Sequence, residues 1–181
     1  MIDKIFPKLH NEGYKFLIIF VLGTIILNFI SGFLGLVGLV LTIWCYYFFR
    51  DPDRTSINDD NYLVSPADGI VLKVEDSDGP KELSLESKKF TKISIFMNVF
   101  DCHVNRIPCS GKITEILYKP GKFFNASLDK ASEDNERNYY KISSSNGEDL
   151  VVVQIAGLIA RRIVTETSEN AELKQGEKIG M

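Results

Sequence analysis

The sequence predicts a mainly β protein: a compact β-sandwich or barrel-like domain preceded by an N-terminal hydrophobic helical hairpin. Three observations carry this. No charged residue occurs between Phe16 and Phe49. Beyond Arg50, short segments rich in β-branched residues alternate or cluster in strand fashion. Gly, Pro, Asn, Asp and Ser punctuate those segments, and no long stretch there has helical periodicity.

The apolar run covers 34 residues. As one helix it would reach roughly 50 Å, well past a hydrocarbon core of about 30 Å. Ser31–Gly32 divides it into two arms, each roughly 22–26 Å long if helical. Residues 1–50 are therefore read as a hairpin that inserts deeply, either as two short spans or as a re-entrant wedge. Lys4, Lys8 and Lys15 precede the run and Arg50 and Arg54 follow it, which places both ends at the cytoplasmic face of the cell membrane. Trp44, Tyr46 and Tyr47 belong near the interface, where amphipathic rings are favoured. A signal peptide fits poorly, because the run is long and no small-residue cleavage site follows. A buried soluble hairpin is the competing reading, but an uncharged run of this length exceeds what a small core usually buries.

Residues 51–181 are read as the β-rich catalytic domain. "GIVLKVE" (69–75) alternates, and "KISIFMNVF" (92–100) puts Ile93, Ile95, Met97 and Val99 on one face. "KITEILY" (112–118) and "LVVVQIAGLIARRIV" (150–164) are rich in β-branched residues. "KPGKFFNASLDKASEDNERN" (119–138) is a connection of about twenty residues, a length usually tied to function or disorder. Its Phe123–Phe124 pair, followed by Asn125, favours an ordered binding loop.

Composition excludes some partners. Net charge is −3, so no basic face for nucleic acid is indicated. Three cysteines, Cys45, Cys102 and Cys109, form no disulfide framework. Zinc needs about four ligands. Cys102, His103 and Cys109 supply three at most, so no metal is expected.

Acid–base chemistry at His103 is the stronger candidate. Histidine titrates near neutral pH, and Asp101, two residues earlier on a strand, would share its face. A satisfied surface pair explains the same spacing equally well. Asp68 in "SPADG" is a second carboxylate, and a turn aspartate bonding its own backbone is the plainer account of it. The other histidine, His10, is expected in the solvent or headgroup region.

"FFRDPDR", "SPADGIV", "SIFMNVFDCHVNRIP", "GKFFNASLDKASEDNERN" and "VVVQIAGLIARRIV", in this order and spacing, closely resemble the short bacterial branch of phosphatidylserine decarboxylase proenzymes. The resemblance runs from about residue 10 onward. It implies a precursor that cleaves itself at a Gly-Ser bond. The new N-terminus of a small α chain becomes a covalent pyruvoyl cofactor, and the larger β chain stays bound. The pyruvoyl condenses with the serine amine of phosphatidylserine and supplies the electron sink for loss of CO2, giving phosphatidylethanolamine. No Gly-Ser occurs in the sequence, so the chain reads as the β-chain portion, inactive without its α chain. A dimer of αβ units is one option.

By the resemblance, Asp68 matches the aspartate of self-cleavage, and Asp101 and His103 match residues lining the decarboxylation site. Arg106 stands where longer relatives carry a second histidine. That departure leaves open whether His103 serves both reactions, and Arg106 is a candidate for the substrate's phosphate or carboxylate. Phe123, Phe124 and Asn125 are candidate lipid contacts. The alternative is a non-enzymatic membrane-fusion adaptor with a lipoyl-like barrel-sandwich module, although the long helical hairpin usual in adaptors is missing. A hydrolase pairing His103 with a cysteine is a further rival.

Overall fold

A computed structural model describes residues 6–125 and 134–181. Lys4 and the middle of the 119–138 connection, residues 126–133, lie outside the described residues. The chain divides into two compact units. One comprises the residues up to Arg54 together with Met97–Val104; the other comprises Thr55–Phe96 and Asn105–Met181.

The first unit holds the hairpin. Helix α1 is Gly13–Ile30 and helix α2 is Gly32–Phe48. Ser31 alone breaks the helical backbone, adopting extended dihedrals while its N–H still donates to Leu27 O. The helices pack through small residues: a Cβ on Gly38 would fall 2.8 Å from Thr24 Oγ1. Thr24 and Thr42 hydroxyls bond across that seam at 2.8 Å. Interhelical contact by small and hydroxyl side chains is the usual solution where apolar surroundings remove the hydrophobic drive to associate. Almost nothing else in α1 is buried, and it is long and apolar enough to cross a membrane. Phe29, Ile30 and Phe33 at the tip are largely exposed. At the base, strands β1 (Lys8–Leu9) and β2 (Arg50–Asp51) pair antiparallel. His10 is buried there, contrary to the expectation of a solvent or headgroup position. Its Nδ1 accepts the Glu12 N–H, meeting a donor that the start of α1 leaves unpaired.

The second unit is mostly strand. β3 (Ile70–Asp78) and β4 (Lys89–Phe96) form a two-stranded ribbon. β5 (Asn105–Arg106), β6 (Gly111–Lys119), β7 (Arg137–Ser144), β8 (Asp149–Ile155), β9 (Glu172–Leu173) and β10 (Lys178–Gly180) follow. The curled sheet runs β8-β7-β6-β9, and β5 pairs with β10. Its inner face buries Ile107, Ile113, Tyr140, Ile142 and Ile179. A smaller cluster on Tyr139 holds Leu83 and Leu85. The fold is thus mainly β with a curled half-barrel sheet and two N-terminal helices.

Two strand expectations overran. The first, 92–100, ends at Phe96, where Asn98 and Asp101 take over the main chain with turn bonds. The second, 150–164, ends at Ile155; Gly157 N–H then donates to Ala160 O and folds the chain back.

Candidate active site

Met97–Val104 belongs with the hairpin, not with the strands on either side of it in sequence. Within it the Asp101 carboxylate accepts the Asn98 N–H at 2.8 Å, and Asn98 Oδ1 accepts the Phe100 N–H. Asp101 does not reach His103 through a shared strand face, because this segment is a turn. Instead the Asp101 carbonyl accepts from His103 Nδ1 at 3.1 Å. A carbonyl can only accept, so Nδ1 carries the proton and Nε2 is the nitrogen that can gain or release one.

His103 is buried. Burial pushes its pKa below the ordinary histidine value of 6.5, with the nearby Arg50 charge adding to it. The bond to Asp101 and the Asp101 charge oppose the shift. The ring packs on Phe48, with centroids 4.3 Å apart and planes 30° from parallel. Trp44 Nε1 donates to Val99 O at 3.2 Å, and Cys102 Sγ donates to Arg50 O at 3.4 Å. Cys102 is therefore a buried packing residue, as are Cys45 and Cys109. Burial also raises the Cys109 thiol pKa, opposite to an activated nucleophile.

The other candidates lie in the second unit. Ser65 Oγ donates to Ala67 O, shaping the turn that carries half-buried Asp68 into β3. Arg106 is tied to the same turn, since its N–H donates to Pro66 O at 2.9 Å. Its guanidinium donates to Gly176 O. Phe123 and Phe124 stand at the described end of the long connection, with Arg161 over the first ring and Lys122 over the second. Asn125 beside them is exposed.

Sequence reasoning passed over two features here. Asn135 closes the base of the long connection: its amide accepts the Phe124 N–H and donates to Phe124 O and Ala156 O. A buried polar chain also runs through the half-barrel beside β10. Tyr140 Oη donates to Gln154 Oε1, and Gln154 Nε2 donates to Asn105 Oδ1. Asn138 donates to Thr165 Oγ1. The visible signal was polar residues at inward positions of "RNYYKI", and buried polar groups persist only when bonded.

The hairpin unit thus carries a buried histidine whose Nδ1 bonds to the Asp101 carbonyl, and the second unit is a mostly β scaffold. A family model described as phosphatidylserine decarboxylase matches residues 41–181. The phosphatidylserine decarboxylase proenzyme of Pelagibacter ubique is 74% identical over 181 residues, which cover 100% of this chain and 84% of the relative. That of Ruegeria pomeroyi is 52% identical over 181 residues, covering 100% and 83%. That of Rickettsia typhi is 48% identical over 179 residues, covering 99% and 78%. The chain belongs to the phosphatidylserine decarboxylase family, whose relatives here are proenzymes. The adaptor reading finds no support in these matches.

Proposed function

We propose that the protein converts phosphatidylserine to phosphatidylethanolamine and CO2, with His103 as its acid–base residue. The observation that carries this is the tautomer set by Asp101 O, which leaves Nε2 free to move a proton. Neutral at physiological pH, His103 accepts the proton of the substrate ammonium. The imidazolium then returns it to the carbon that has lost CO2. Asp101 keeps the ring oriented and its charge supports the imidazolium. Arg106 offers a cation to the substrate's phosphate or carboxylate.

None of these side chains can hold the electron pair left by CO2, so the reaction calls for an added electrophilic carbonyl. A pyruvoyl group, when bound, supplies that electron sink. We place it on a small α chain cut from the same precursor, with Asp68 in the cutting step. The β3–β4 ribbon supports such a partner. Ile70, Val71, Leu72, Val74 and Ile93 are each more than half exposed. A two-stranded ribbon is marginal alone, and the relatives are longer than this chain. Leu72→Asp should therefore reduce co-purification of the small chain.

The hairpin supports placement at the cytoplasmic face of the cell membrane, beside a diacyl substrate that leaves the bilayer only at high cost. Phe29→Asp with Phe33→Asp should abolish flotation with vesicles. Phe123, Phe124 and Asn125 remain candidate lipid contacts.

The decisive experiment expresses the full-length precursor with His103→Ala or Asp68→Asn and follows self-cleavage by gel and CO2 release from phosphatidylserine vesicles. His103→Ala should cleave yet lose about 10²-fold or more in turnover. Asp68→Asn should remain uncleaved. A His103→Ala enzyme with normal turnover overturns the assignment.

A further inference from the structure

The His103 ring is not held by its own turn alone. Its flat face lies on Phe48, the last residue of α2. Phe48 is buried and sits in a row of rings: Trp44 at 5.7 Å and Phe49 at 5.0 Å, edge-on. Phe49 in turn stacks on Phe16 of α1, 5.1 Å away and 10° from parallel. Two polar links tie the same helix end to the turn, from Trp44 to Val99 O and from Cys102 to Arg50 O. Arg50 also caps the helix, donating to Tyr47 O at 2.7 Å. Among the described residues the His103 turn pairs with no strand, and the C-terminal end of the apolar hairpin packs against it.

We propose that Phe48 is a positioning residue for His103, and that the end of α2 bearing Trp44 and Phe48, with Arg50 just beyond it, is the seat on which the acid–base turn is built. The inference rests on His103 being the proton-transfer group. The hairpin is then more than an anchor, because its last turn sets the orientation of the imidazole. Phe48 fixes the ring plane, and Asp101 O fixes rotation within that plane. With both in place Nε2 points one way, and misplacement of such a group by about 1 Å can cost about 10²-fold. The charged groups acting on the ring are Asp101 and Arg50, and neither changes when Phe48 is replaced.

The test uses the full-length, self-cleaved enzyme on phosphatidylserine vesicles, with kinetics expressed per cleaved molecule. Phe48→Leu keeps apolar bulk but removes the flat face. It should retain vesicle binding, lower kcat about ten-fold with KM little changed, and raise the His103 titration followed by NMR toward its ordinary value. The partial loss is expected because removal of a general acid–base group outright costs about 10²-fold or more. Phe48→Tyr should restore both readouts. If Phe48→Leu does not self-cleave, Trp44→Phe takes its place: it removes the indole bond to Val99 O and part of the ring packed on Phe48, and should shift the His103 titration. An unmoved His103 titration, or a kcat loss that merely parallels lost vesicle binding, overturns the proposal. The NMR readout needs no turnover, so it separates failure of this inference from failure of the His103 assignment, which His103→Ala tests by itself.

Discussion

Two kinds of order meet within residues 98–111. From Asn98 to Val104 no ladder exists; side chains bond main chain, and a ring lies on a ring. From Asn105 onward the chain is strand and core: β5 pairs with β10, and Ile107 and Cys109 are buried in the half-barrel. The first stretch holds one proton-carrying nitrogen in place, and the second holds the fold together. Damage to the first should therefore appear in turnover, and damage to the second in stability.

The sharpest break in that comparison is Ile107→Ala. Ile107 is fully buried, so truncation should cost about 2–5 kcal/mol of stability, read as a lower urea midpoint. A loss under about 1 kcal/mol would show that the half-barrel relaxes around the cavity. Next is Tyr140→Phe, which leaves Gln154 Oε1 buried without its donor. It should cost about 1–3 kcal/mol, read the same way.

Asp101→Asn tests the other side. It keeps an oxygen for the Asn98 N–H but removes the charge that raises the His103 pKa. Melting should change little, while the acid limb of the activity profile moves to lower pH. A limb that moves up would contradict the sign of the Asp101 contribution.

The smallest effect is on stability against pH. Folded His103 titrates below 6.5. As pH falls through that value the unfolded chain binds a proton that the folded chain does not, so stability falls on the acid side. His103→Asn should flatten that slope in urea titrations at graded pH.

Much of this was legible in the residues. The uncharged run and Ser31 mark the hairpin and its break, because length, charge and helix geometry are local properties. The turn signals bracket β3 and β6 closely. The run "LVVVQIAGLIARRIV" misled beyond Ile155, since β-branched content cannot show where a main-chain turn will outcompete the ladder. His10 was misplaced for a similar reason, its burial depending on β1 meeting β2 at the base of the hairpin.

By itself the sequence determined a hydrophobic hairpin, a mainly β remainder and the residues that mark the family. Only the tertiary structure decided that the His103 turn is built on α2, that the carbonyl and not the carboxylate of Asp101 holds the ring, and that Phe48 lies beneath it. Periodicity and turn chemistry act over a few residues, whereas Trp44 and Val99 are 55 positions apart. Contacts at that separation arise from packing, which no local pattern encodes.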